Sequence, residues 1–507
     1  MEKKLAQAVA ISLVIIVTWQ ILLNKFYHVD NKHVKRDTLQ AQIIKKSSPP
    51  PLLAPDSKEL SADSLFRLPQ DKYALVFNEG QGAVKEVFFS DHQNYKLDLK
   101  NAFALKDKGS VFIKDALTRD SISFIYHGQD KQITKRFIFS KSNYTIYLEI
   151  EIQNLSSKPL SLRLPISLGT LQFAGDQNQT RLQDVTVMTR EKLLHPNARK
   201  EAVFDDVKFM GWRDRYFCLI VEPQSPGFSG FINKSSNQNY DIGLLAPEVN
   251  LASGQKIAYK FHIYLGPQML RIINNVKPEW AAVMHYGTFD FVAQILLQLL
   301  DILHRIIPNW GLVIIALSII IYIVLFPLSL KQMRSMKRMQ ELQPKIEELR
   351  NLYKDTPQKL NTEIMKLYKE YKVNPLSGCL PLLLQMPIFF ALYQVLIRTV
   401  SLKGASFLWI KDLSEPDKLF VLPVSLPLLG SDINILPILM ALTMFIQQKG
   451  TMAKTGGTTA EQQKLMLILF PLMFAFIFYH MPSGLVLYWF INSLLMLAYQ
   501  FKINKQK

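Results

Sequence analysis

Beyond Gly311 the chain carries polar side chains inside otherwise apolar stretches: Ser318, Tyr322, Gln385, Gln394, Asn434, Tyr488, Asn492 and Ser493. Hydroxyls, amides and phenols are neutral donors and acceptors, so the chemistry open to them is hydrogen bonding. A polar group at membrane depth needs a partner helix, another polar group or water. Tyr488 and Asn492 stand four residues apart and share one helical face. Several such faces turned inward would line a hydrophilic cavity; ordinary hydrogen bonding between packed helices uses the same residue types. Both readings stay open on spacing alone. Asp432, near the end of an apolar stretch, gives no basis for a carboxylate proton relay, and no nucleophile–base pair, phosphate loop or metal-ligand spacing is present. The reading is therefore of a non-enzymatic protein without a cofactor or metal.

The elements that must position these groups are apolar segments at about 311–330, 379–397, 433–448, 465–480 and 484–501. An N-terminal stretch, residues 5–23 after Met-Glu-Lys-Lys, is about long enough to cross a ~30 Å hydrocarbon core. No small-residue cleavage site follows it, so residues 1–23 read as an uncleaved signal anchor. The largest polar break, Lys331 to Val373, holds eleven Lys/Arg against six Asp/Glu. Residues 449–464 and the tail 503–507 are also basic. Placing the basic loops inside gives six spans, both termini inside and the large polar region outside.

The 331–373 break reads as two antiparallel helices. Leu342, Ile346, Leu349 and Tyr353 mark one apolar stripe, and Leu360, Ile364, Leu367 and Tyr371 the other. Thr356-Pro357 starts the second helix and Asn374-Pro375 stops it. Met333, Met336 and Met339 offer an adaptable apolar surface for client or partner contact, or else meet lipid or pack within the hairpin.

Residues 24–64 read as a linker, with Ser47-Ser48-Pro49-Pro50-Pro51 favouring extended chain. From 65 to about 270, alternating runs predict strands: Tyr73 to Phe77, Val84 to Phe89, Ser121 to His127, Lys135 to Phe139, Tyr144 to Ile152 and Ala258 to Tyr264. An all-β sandwich with its own core is expected. Between them and the spans, 271–310 includes an amphipathic pattern, Phe291-Ile295-Leu299 opposite Gln294, Gln298 and Asp301. It suits a helix in the membrane interface or a cap on the β domain.

The totals agree with a membrane protein. The 507 residues are 49% hydrophobic, with 59 basic and 41 acidic residues for a net charge of +18. Cytoplasmic loops and lipid headgroups account for such an excess; no basic-aromatic module supports direct nucleic-acid binding, though ribosomal RNA at a docking surface stays open. Two cysteines, Cys218 and Cys379, and nine scattered histidines exclude a disulfide framework and a metal site by count and spacing.

The motif Asn374-Pro375-Leu376-Ser377-Gly378-Cys379-Leu380-Pro381, followed by Leu384-Gln385-Met386-Pro387-Ile388-Phe389-Phe390-Ala391-Leu392-Tyr393, resembles the YidC-type membrane protein insertases. So do Asn309-Trp310-Gly311, Phe326-Pro327-Leu328, Leu342-Gln343-Pro344-Lys345-Ile346 and Pro482-Ser483-Gly484-Leu485-Val486-Leu487-Tyr488. Weaker echoes stand at Tyr264-Leu265-Gly266-Pro267 and Tyr286-Gly287. The resemblance implies an insertase core over 311–502, in a bacterial inner membrane, with a periplasmic β-sandwich before it. It implies a groove open to the cytoplasm and to lipid and closed on the outer side, with Ser318, Gln385 and Tyr488 at groove-lining positions. Tyr322 occupies the position that holds an intramembrane arginine in the family, and Trp489 one that is commonly tyrosine. With Asn492 these complete the expected groove. Tyr322 brings no positive charge, so hydration of the groove, rather than a fixed cation, is expected to lower the crossing barrier. Arg398 is expected to snorkel at the outer end of its span.

Partners implied are nascent membrane proteins, the translating ribosome, the Sec translocon, the signal-recognition receptor and membrane lipids; no small-molecule substrate is expected. Two other readings compete. A polytopic small-molecule transporter is opposed by the absence of repeat symmetry between halves and by the large hairpin. A sugar-binding envelope anchor would work through its β domain.

Overall fold

The computed structural model describes residues 64–105, 110–141, 143–173, 182–236, 238–354, 356–371, 380–426, 430–451 and 458–505. The predicted signal anchor at 1–23 and the linker up to residue 63 lie outside the described residues, as does the Asn374–Cys379 part of the first motif. Side chains at 328, 331–337, 339–340, 380–384, 425–426, 450–451, 458–466 and 503–505 are also outside them.

Among the described residues, alternation of apolar side chains produces a succession of strands from Leu65 to Pro267. Five of the six runs expected from the sequence are strands or lie within one, among them Tyr73–Asn78, Lys131–Phe139 and Lys256–Pro267, and the sixth, Tyr144 to Ile152, does so from Thr145 on. A nine-stranded sheet runs in the order Leu193–Leu194, Asp184–Thr189, Val207–Arg213, Phe217–Pro223, Lys256–Pro267, Thr145–Asn154, Lys131–Phe139, Ser121–His127, Ile113–Leu117. Two four-stranded sheets accompany it, and every named pairing is antiparallel. Leu75, Ile166 and Phe137, one from each of these sheets, are fully buried in a common apolar core.

Nine helices follow among the described residues: α1 (Leu270–Val276), α2 (Asp290–Ile306), α3 (Trp310–Glu341), α4 (Gln343–Leu352), α5 (Pro357–Glu370), α6 (Leu380–Arg398), α7 (Ile435–Thr451), α8 (Thr458–Phe478) and α9 (Ser483–Lys505). In α2 the inner face buries Ala293, Leu296 and Leu300, while Phe291, Ile295, Ile302 and Ile306 stand exposed. This exposed apolar stripe lies on a helix packed against α3 and α6. Segments Trp310–Pro327 of α3 and Ser483–Lys502 of α9 are long and apolar enough to cross a membrane; Ile435–Lys449 and Leu467–Phe478 are shorter apolar helical segments.

The basic insertion differs from expectation at its start. Lys331 to Glu341 extend α3 instead of beginning the hairpin. Nothing in that run breaks a helix, and the chain turns only where Pro344 opens α4. Met333, Met336 and Met339 ride on this extension, with side chains outside the described set. The hairpin proper is α4 against α5, closed by Leu342 and Ile346 on Ile364, Leu367 and Tyr368. Tyr371, assigned to that stripe from its spacing, is 40% exposed.

Candidate functional site

α6 and α9 bring two of the expected site residues into direct contact: the Gln385 amide donates a hydrogen bond to the Tyr488 hydroxyl. Tyr488 is fully buried. One turn on, the Asn492 amide donates to the Tyr488 carbonyl at 2.9 Å, so the shared face expected from their spacing is real. Tyr322 reaches across from α3 toward the Leu495 carbonyl, 3.5 Å away, and tilts against Phe326.

Two further candidates make contacts of other kinds. Ser318 is fully buried and donates to the Ile314 carbonyl of its own helix at 2.7 Å, which satisfies it without a partner helix or water. Trp489 sits among Phe389, Phe474 and Phe478, with ring centroids 5.3–5.6 Å away, as packing between α6, α8 and α9. Asn434, counted from sequence among the mid-span polar groups, stands instead just before α7 begins, and its amide donates to the Tyr479 carbonyl at 2.7 Å.

At one end of the helical region, main-chain and side-chain hydrogen bonds tie the loops to the helices. Ser483 and Gly484 donate their backbone N–H groups to the Glu415 and Leu413 carbonyls at 2.8 and 2.9 Å. Asp417 accepts from the Ile435 and Leu436 N–H groups at 2.9 and 3.0 Å, satisfying donors that the first turn of α7 leaves open. The Tyr479 hydroxyl donates to the Asp432 carbonyl at 2.8 Å. Phe407 packs onto α3 where Gly311 leaves room, since a Cβ there would lie 2.1 Å from the ring. Gly311→Ala should therefore cost about 1–3 kcal/mol through overpacking. Thermal unfolding of the full chain in detergent checks this, and an unchanged melting temperature contradicts it.

The same end docks on the β domain through groups that sequence reasoning missed. Arg398 does not snorkel. It is buried, and it donates to Asp184 Oδ2 at 3.2 Å and to the Leu182 and Asp214 carbonyls at 3.0 and 3.3 Å. The reason is that the β domain, not lipid or water, covers the end of α6. Asp184 also takes a two-pronged bond from Arg213, at 2.6 and 2.8 Å. Burial pushes the Asp184 carboxyl up, but the Arg213 and Arg398 guanidiniums outweigh it and hold the group below the usual carboxylate range. Arg215 donates to the Ile397 and Ser414 carbonyls at 3.0 and 2.8 Å and pairs with Glu415 at 3.1 Å. The Lys403 ammonium lies 4.4 Å from the Tyr95 ring centroid. The available signal was a charged residue ending an apolar span; its partner lies 214 positions away.

The comparisons with known proteins fit this arrangement. Residues 302–507 match the family model of the 60Kd inner membrane protein, and residues 87–299 match the YidC periplasmic domain. A membrane protein insertase YidC of Syntrophobacter fumaroxidans is 34% identical over 82% of this chain and 76% of its own length. One from Wolinella succinogenes is 34% identical over 83% and 73%. One from Pelobacter propionicus is 29% identical over 100% of this chain and 99% of its own length. A crystal structure of an active YidC insertase aligns with 87% of this chain and 93% of that chain, at 20% identity and a TM-score of 0.41.

The chain is thus an inner membrane protein with a β-rich periplasmic domain and a helical C-terminal region. It belongs to the YidC family of membrane protein insertases, insertion factors that are not enzymes and whose clients are nascent membrane proteins. Neither the transporter nor the envelope-anchor reading is favoured by these matches.

Proposed function

We propose that clients enter by a groove between α3, α6 and α9, contacting Gln385, Tyr488, Tyr322 and Asn492, and that this groove ends blind at the β-domain side. The observation that carries the reading is the Gln385–Tyr488 bond joining α6 to α9, a polar contact between apolar helices. Below it the cytoplasmic ends of α6 and α8 carry side chains outside the described residues; above it main chain closes the bundle. Ser318 and Trp489 stay in the proposal as groove walls, Ser318 by fixing α3 and Trp489 by packing α6, α8 and α9. Six spans, counting the anchor at 1–23, put both termini in the cytoplasm and residues 24–310 in the periplasm, with the α4–α5 hairpin inside. The domain divisions follow: linker 24–64, β sandwich 65–270, interfacial region 271–310, core 311–502 and tail 503–507.

The positive hairpin, the methionines of the α3 extension and the 449–464 loop are then the surfaces facing the ribosome and the signal-recognition receptor, and the spans those facing lipid and the Sec translocon. A photocrosslinking residue at Gln385 should capture a stalled nascent membrane protein. The Ser318→Ala/Gln385→Ala double variant should slow insertion about tenfold, the equivalent of one lost hydrogen bond of about 1.4 kcal/mol. Full activity of that variant, with no crosslink from Gln385, removes the groove.

A further inference from the structure

The helix that brings Gln385 to the groove has its other end held by the β domain. Gln385 and Arg398 are thirteen residues apart on α6, about 20 Å along the helix at roughly 1.5 Å per residue, with Pro387 inside the helix between them. At the Gln385 end, among the described residues, one side-chain bond joins the helix to α9. At the Arg398 end it is tied by four hydrogen bonds: Arg398 to Asp184 and to the Leu182 and Asp214 carbonyls, and Arg215 to the Ile397 carbonyl. Asp184 is shared, because its carboxylate already holds the buried Arg213 in a two-pronged pair. Arg213 in turn donates to the His285 carbonyl, in the segment leading to α2, and α2 packs on α6.

We propose that Arg398 and Asp184 form a positioning clamp that sets the height and rotation of α6, and so the placement of Gln385. The periplasmic domain is then part of the insertion device and not only its neighbour. The clamp's charge distribution suits this role. The Arg398 side chain is 7% exposed and that of Asp184 37%. The guanidinium therefore has no water to turn to if α6 shifts, and the Arg398 Nε–H is buried without a partner among the described residues. Any rotation of α6 breaks bonds that solvent does not replace, so one orientation is favoured. The Asp184–Arg213 pair is geometrically independent of α6 and keeps the acceptor in place.

This inference rests on the groove reading for its functional effect, and the experiment separates the two. Arg398→Met removes the clamp while leaving the Asp184–Arg213 pair intact; Arg215→Met, at a more exposed residue, is the second variant. Spin labels at Val203 in the β domain and Leu408 in the loop after α6, both well exposed, report the joint in the full chain. The wild type should give one narrow distance and Arg398→Met a broadened one, with Arg398→Lys between them and the near-UV circular dichroism of the folded β domain unchanged. Insertion should slow about three- to tenfold, with a matching loss of client crosslinks from Gln385. Unchanged distances together with unchanged insertion overturn the clamp. If the wild type itself gives no crosslink from Gln385, the groove reading fails and the label distances alone decide on the clamp: broadening supports it, and an unchanged distribution overturns it. If Arg398→Met unfolds, the same readouts on Arg215→Met decide.

Discussion

Asp184→Ala is expected to lower the melting temperature of the β domain by about 6–12 °C. The substitution leaves Arg213 and Arg398, with side chains 1% and 7% exposed, facing each other without their shared anion. Breaking a buried ion pair by removing one partner costs about 3–5 kcal/mol. The Asp184 side chain is itself 37% exposed, so solvent screening places the loss at the lower end, about 3 kcal/mol. In a domain of this size each kcal/mol moves the midpoint by about 2–4 °C. The pH dependence follows the same pair. Because the folded carboxyl lies below its unfolded value near 3.9, its contribution is present above that pH and is lost as pH falls further. Asp184→Asn should therefore be less stable than wild type at pH 7, and the gap should narrow below about pH 4. Thermal unfolding from pH 7 to pH 3 reads both effects; a gap that does not change with pH shows that the carboxylate charge is not what holds the arginines.

The second large effect is expected at Lys135, deep in the β domain and fully buried. Its ammonium donates to the Gln81, Gly82 and Phe103 carbonyls at 2.8, 3.2 and 2.9 Å and lies 4.2 Å from the Phe112 ring centroid. Gly82 and Phe103 have φ of 50° and 67°, the left-handed region, which turns these carbonyls inward. No strand donor meets them there, so the lysine does. Burial pushes the Lys135 pKa well down from its usual value, and the three carbonyls and the ring are what the charged form has in return. Lys135→Ala strands these carbonyls and opens a cavity, at a cost of about 3 kcal/mol or more. Lys135→Met fills the space but supplies no donor, so it should recover only part of the loss. Chemical unfolding followed by near-UV circular dichroism checks the order; full stability of the Met variant would show that the carbonyls need no donor.

Local pattern made the strands legible. Alternation from Lys135 to Phe139 and from Ala258 to Tyr264 is a period set by backbone geometry, and no distant contact overrides it. The same alternation put Lys135 on the core face beside Phe137 and Phe139, a buried cation that could have been noticed from sequence. The Tyr488–Asn492 face was legible for the equivalent helical reason. Arg398 was not, because its fate depends on Asp184, which no local rule joins to it. Asn434, which the sequence put at the start of the 433–448 stretch, stands one residue outside α7, where the Tyr479 carbonyl accepts from its amide. At Lys331 the sequence did hold the answer: a charged run without proline or glycine has no reason to stop a helix, and Pro344 does. Ser318 needs no partner helix for its hydroxyl, since a serine inside a helix can share the carbonyl four residues back.

The Ser483–Glu415 and Gly484–Leu413 bonds are made by backbone alone, and backbone is the one part of a protein that substitution leaves in place. In the blind-ended groove we propose, a closed end held by such bonds would let the facing side chains vary with the traffic they handle. Conductance across bilayers holding this protein should stay near the lipid background, whatever is changed at Gln385 or Tyr322.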